Sequence, residues 1–205
     1  MMLEVVQQDK ELYEARFLIR QDGSVVGRMA LRGSVGTIEG DWDIALYGSA
    51  FSLSPEGSRM GSPQRPYTLV ADGVPAGRLF QARRKHGLLN SYDYVEMRYM
   101  GGEYSLYSVM LGDKGKCPIY LGDGQVAQID KDFVVYDDLH HYRLYTLKAE
   151  DAVVATLLCA YLYVTGPFKP GVKVTAGCER NYGKTINKLL LGKYDPAFVS
   201  KCAGR

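Results

Sequence analysis

Histidine, tryptophan and long apolar runs are all scarce in this chain. Three His and one Trp stand among 205 residues, so His86, His140 and His141 are the whole supply of imidazole bases. Neither Gly-x-Ser-x-Gly nor His-Glu-x-x-His occurs. Those patterns set a nucleophile on a sharp turn or two imidazoles on one helix face, and their absence makes a non-enzymatic role the expectation. Cys117, Cys159, Cys178 and Cys202 are too far apart for a paired metal knuckle. A formal net charge of +2 gives no bulk attraction to nucleic acid. The opening stretch, MMLEVVQQDKELYE, lacks the apolar core of a secretory leader. The expectation is a cytoplasmic protein with reduced cysteines, needing no cofactor.

One uncharged apolar stretch is present, from Ala152 to Val164, interrupted only by Thr156. Glu150 and Asp151 precede it and Gly166-Pro167 follow it, the charges and breakers expected at a helix start and stop. At about 1.5 Å per residue the run is too short for a bilayer, which needs roughly 20 such residues. A helix apolar on every side must be enclosed on every side, so the rest of the protein is expected to wrap it.

The rest reads as strands. Tyr13, Ala15, Phe17 and Ile19 alternate with Glu14, Arg16, Leu18 and Arg20, Asp22-Gly23 turns the chain, and Val25 to Leu31 returns. This is a hairpin signal. Thr37–Tyr47 is a further strand, with Trp42, Ile44 and Leu46 on one face, and Ser52–Pro66 reads as a Ser/Gly/Pro loop. The skeleton aromatic, four residues, Asp-Gly, three residues, Gly-Arg, apolar then recurs from Tyr67 to Leu79. A third copy, Ile119–Ile129 around Asp123-Gly124, is one residue shorter. Asp-Gly pairs about 50 positions apart mark an internal repeat. Tyr92–Met100 and Glu103–Leu111 form another hairpin across Gly101-Gly102. Phe133–Tyr136 and Tyr142–Leu147 complete about a dozen strands.

The expected fold is mainly β: an antiparallel barrel of about twelve strands closed around residues 149–165. Closure removes aggregation-prone edges, although two sheets sandwiching the helix fit the same pattern. Residues 1–168 form this domain. From Lys169 onward six Lys and two Arg face one Glu and one Asp, giving a basic extension that packs on or caps a mildly acidic body. Val172–Ala176 reads as a short strand and Lys184–Tyr194 as a basic helix.

Asp22-Gly23 with Gly27-Arg28, Asp72-Gly73 with Gly77-Arg78, the strand Tyr142–Leu147 and the apolar run Ala152–Val164 together resemble the tubby-like superfamily. The likeness is to its LURP-one-related and phospholipid-scramblase-like branch. That resemblance implies a twelve-stranded barrel around a hydrophobic helix, and binding of phosphoinositide or other anionic lipid without catalysis. No lipid-contacting residue of the family maps onto a position here, and the scramblase calcium loop is missing.

Three candidates for chemistry stand out. Arg83-Arg84-Lys85-His86, with Arg180, Lys184 and Lys188 of the tail, offers a basic surface. Each such side chain near an anionic membrane is worth about 1 kcal/mol. Asp137, Asp138, His140 and His141 crowd potential metal ligands together, yet adjacent histidines on a strand point to opposite faces; a solvated turn is expected. Gly177–Thr185 imitates a phosphate loop but has five residues between its glycines where the motif has four, and reads as a turn before a helix. The leading expectation is a module binding anionic lipid or a protein partner at a basic rim. The alternative is a small-molecule binder or enzyme with a pocket at the barrel mouth.

Overall fold

The structure, a computed structural model, describes residues 1–9, 14–33, 40–57, 65–86, 90–107, 109–111, 114–131, 139–165 and 192–203. For 84–86, 90–92, 109–111, 114–115 and 165 it describes the backbone alone. The strands are β1 Met2–Gln7, β2 Glu14–Gln21, β3 Ser24–Gly33, β4 Gly40–Leu46, β5 Ser49–Pro55, β6 Tyr67–Ala71 and β7 Val74–His86. They continue with β8 Asn90–Tyr99, β9 Gly102–Leu106, β10 Val109–Leu111, β11 Lys114–Leu121, β12 Gly124–Lys131 and β13 His141–Thr146. All belong to one antiparallel sheet in which β13 pairs β1, and β11 pairs β9 to close the ring. Because β9 and β10 lie end to end along β11, the wall is that of a closed twelve-stranded barrel.

The repeat is built into this wall with an unbroken period. Phe17 pairs Met29, Tyr67 pairs Leu79 and Cys117 pairs Ile129, each fifty positions after the last. Each hairpin carries a bulge at the same point, which leaves Val26, Ala76 and Val126 as the extra residues. The carbonyls of those three residues accept from the N–H groups of Tyr47, Met100 and Leu147. A bulge bends the strand and raises its twist, which is how a sheet curls enough to close. The third unit's second hairpin would turn at Leu147; there the chain instead enters the helix, and β1 supplies the missing strand.

Two turn assignments from the sequence change. The third repeat is not shorter: its tip is Gly122-Asp123, since the first tip position needs a left-handed backbone and Gly122 supplies it at φ 59°. The fourth tip is Met100-Gly101, not Gly101-Gly102. Tyr47-Gly48 and Met100-Gly101 match Asp22-Gly23 and Asp72-Gly73, with both residues at positive φ, the geometry of a type I′ turn. Asp adopts that geometry at less cost than Met. Met100→Asn is therefore expected to gain about 1 kcal/mol, read as a melting point a few degrees higher.

Three strand assignments also change. Ser49–Pro55 is a strand where a loop over Ser52–Pro66 was expected: Phe51 and Leu53 point inward, and Ala50 and Ser52 are its outward positions. β1 was not anticipated at all. The expected strand Glu103–Leu111 breaks after Leu106 into β9 and β10. Phe133–Tyr136, Val172–Ala176 and nearly all of Lys184–Tyr194 lie outside the described residues.

The helix α1, Ala149–Thr165, is found as expected. From Val154 to Val164 its side chains are buried, and the apolar ones belong to one core cluster with inward residues of β1–β9 and β11–β13. Cys117 and Cys159 are buried in that cluster. Beyond it, residues 192–203 pack on the outer face of β11–β13. Tyr120 donates to the Lys193 carbonyl (3.2 Å), and the Lys193 ammonium sits 4.5 Å over the Tyr120 ring. The short helix α2, Phe198–Ala203, buries Phe198 and Cys202, and the Met1 amine donates to Cys202 O (2.8 Å).

Candidate functional site

The two ends of the barrel differ. Tight tips join β2–β3, β4–β5, β6–β7, β8–β9 and β11–β12 at one end, where α1 also begins. The other end, the loop end, is where β3 and β4 pair last, at Gly33↔Gly40, and β7 and β8, at His86↔Asn90. Arg83 stands at the loop end. The β7–β8 ladder runs from Gly77↔Tyr99 to His86↔Asn90, whereas β6 pairs β7 only as far as Leu79 and β9 meets β8 only from Val95. The outer part of this hairpin, beyond Leu79 on β7 and before Val95 on β8, is thus an arm paired only to itself, with Tyr94 stacked on Tyr107 at 5.3 Å.

Arg83 lies directly opposite Asp93 on the arm and donates to both carboxylate oxygens, at 2.7 and 3.2 Å. The hydrogen bond from Arg83 holds the Asp93 carboxyl below its usual range. Arg84 and Lys85 follow along the same strand, described as backbone. Arg180, Lys184 and Lys188 lie outside the described residues, as do Asp137 and Asp138. Nearer the barrel, Arg78 and Arg98 flank the Phe80 ring at 5.6 and 5.8 Å. Arg78 is clamped by Glu56 (2.8 and 2.6 Å), and Arg98 lies 3.2 Å from Glu96.

The two histidines separate as strand geometry requires. His141 faces outward, 3.7 Å from Glu4. His140 is buried, with Nδ1 3.1 Å from the Lys131 ammonium and 3.3 Å from the Tyr142 hydroxyl. Its backbone N–H donates to Gln7 Oε1 (3.1 Å), and its ring meets Tyr163 edge-on at 5.1 Å. Among the described residues no three potential ligands gather as a metal site.

Lys131 is the member sequence reading missed. Its signal was there, because Ala127, Ile129 and Lys131 share the inward parity of β12. An amine, an imidazole and two phenols thus meet at the loop end, and Lys131 is only 4% exposed. Burial is the main influence on the phenols of Tyr161 and Tyr163 and on the Cys159 thiol, pushing each far above its ordinary range. These groups stay neutral and act as packing and hydrogen-bonding elements.

On the outside, β3–β6 carry a shallow groove of about 420 Å³ over Ala30, Ala45, Ala50, Ser52 and Val70, edged by Arg28 and Asp43. Asp43 is engaged by Arg32. No protein-family model, curated protein or solved structure matches this chain.

Proposed function

We propose that the chain is a non-enzymatic, cytoplasmic binding module of tubby-like design: a barrel closed around α1 that engages anionic lipid headgroups, phosphoinositides among them, at its loop end. The arm carries this reading. Its strand β7 carries Arg83, Arg84 and Lys85 in sequence at the loop end, on a hairpin segment that neither β6 nor β9 pairs, which supports contact with a flat anionic surface. The central position of the helix is supported by its contacts. Tyr104, at the tip end, lies within the electrostatic reach of Asp151, while near the loop end Tyr161 donates to the Arg65 carbonyl (3.3 Å). Tyr163 packs against Phe17 of β2 and Trp42 of β4. A helix running from end to end with buried sides leaves the wall and its two ends for ligands.

Liposome co-sedimentation over a salt titration tests the proposal. Vesicles with phosphoinositide or phosphatidylserine should pellet the protein, and Arg83→Ala/Arg84→Ala should weaken that. Asp93→Asn should strengthen it by about fivefold, because it frees a guanidinium worth about 1 kcal/mol at such a surface. Binding that neither change moves would remove the arm from the site. A second reading, a barrel-mouth pocket for a small molecule, is favoured by the Lys131–His140–Tyr142 constellation. It, or a protein partner, becomes the leading one if no anionic vesicle binds.

A further inference from the structure

The large apolar side chains exposed among the described residues are Met2, Val25, Tyr47, Val74, Met100 and Leu121. Every one lies at the tip end. Tyr47 and Met100 are tip residues, Val74 and Leu121 adjoin tips, Val25 is two positions past one, and Met2 begins β1 opposite Tyr145, beside the entry of the chain into α1. The ring order of the strands spaces these six around the whole rim, about one to each hairpin. Val74 is 64% and Met100 75% exposed, so neither contributes much to the core.

Backbone geometry adds a second, independent observation. Tyr47 and Met100 hold φ of 52° and 49°, which L-residues with bulky side chains occupy at a cost. Asp22 and Asp72 show that the same tip accepts a residue suited to it. Strained positions that expose an apolar group, and do not bury it, point to a use outside folding.

Charge decides what kind of partner fits. The charged residues at the five tips are Asp22, Asp72 and Asp123; cations stand beside them, with Arg20 exposed opposite Val25 and Lys148 3.2 Å from Glu150 where α1 begins. Asp123 is met by Lys193 at 3.1 Å; Asp72 instead accepts the Ala50 N–H at 2.8 Å. With Asp123 and Glu150 each matched by a lysine, Asp22 and Asp72 remain as tip carboxylates without a salt bridge among the described residues; they favour a basic group on the partner, and two copies meeting face to face would set these aspartates together. We propose that the tip end is a docking surface for a basic polypeptide segment of a partner protein whose apolar side chains seat among Val25, Tyr47, Val74, Met100 and Leu121. This site is at the opposite end from the proposed lipid surface and does not depend on it.

The test is fluorescence anisotropy of the full chain titrated with a synthetic amphipathic peptide of Lys and Leu, with the matching Glu/Leu peptide as control. The Lys/Leu peptide should bind saturably, less tightly as salt rises, and the Glu/Leu peptide should not. Met100→Asn with Val74→Thr should weaken binding about tenfold, and Asp22→Asn/Asp72→Asn by a similar factor. Asn keeps the tip conformation, so these variants stay folded, which their melting curves would verify. Arg83→Ala should leave peptide binding unchanged. The proposal is overturned by equal binding of the two peptides, or by binding that the tip variants do not alter. It is also overturned if Met100→Asn abolishes self-association in sedimentation, which makes a second copy the occupant, or binding to neutral phosphatidylcholine vesicles, which makes it a bilayer.

Discussion

Leu157→Asp or Leu158→Asp is expected to leave no folded protein. Both side chains are fully buried in the middle of α1, within the cluster shared with the strands around the wall. Truncating a buried leucine already costs about 2–5 kcal/mol. A carboxylate there adds the cost of desolvating a charge or forcing it to take up a proton. A domain whose total stability is about 5–15 kcal/mol does not absorb both. Val153→Asp is the matched control, because Val153 is only partly buried on the same helix and its side chain has a route toward water. Circular dichroism and thermal melting of soluble protein separate the cases. A Leu157→Asp protein that melts cooperatively near the parent temperature would refute the enclosed helix.

The parts of the fold legible in the sequence are those where one physical rule acts alone. Trp42, Ile44 and Leu46 alternate cleanly because β4 has one face inward and one outward. The apolar run Ala152–Val164 could be placed because no partly exposed helix tolerates that composition. Ser49–Pro55 hid because its outward residues are Ala and Ser: two inward residues, Phe51 and Leu53, are too few to outweigh a Ser/Pro composition. β1 hid behind Gln7-Gln8-Asp9, although Leu3, Val5 and Gln7 are all buried. Tyr47-Gly48 and Met100-Gly101 lack the Asn or Asp that announces a type I′ turn, so only the bulge carbonyls that cap them reveal what they are. The basic arm was legible as composition. That its outer part pairs only with itself was not, since that depends on where β6 and β9 stop pairing.

Gly77→Ala should cost about 3 kcal/mol, and the reason explains the Gly-Arg element of the repeat. A Cβ on Gly77 would lie 1.8 Å from the Arg98 carbonyl oxygen, with the Arg98 carbon and Tyr99 Cα next nearest. All three are backbone atoms, so no side-chain rotation relieves the overlap and β8 itself must shift. Gly27 holds the same place one repeat earlier, where the obstacle is the Ala45 carbonyl at 2.4 Å. Both face the residue before the bulge, Ile19 or Leu69, where added twist brings the next strand close. The third repeat has the fully buried Ala127 there, opposite Ile119, so a methyl group fits when β13 is the neighbour. The requirement for glycine therefore belongs to β4 and β8, not to the bulge. Gly73→Ala is the informative comparison: its Cβ would meet open space, and its φ of +80° alone should cost about 1 kcal/mol. Urea unfolding of the two variants should place Gly77→Ala well below Gly73→Ala. Equal midpoints would mean that β8 moves aside freely, and that the approach of its carbonyl does not set the glycine.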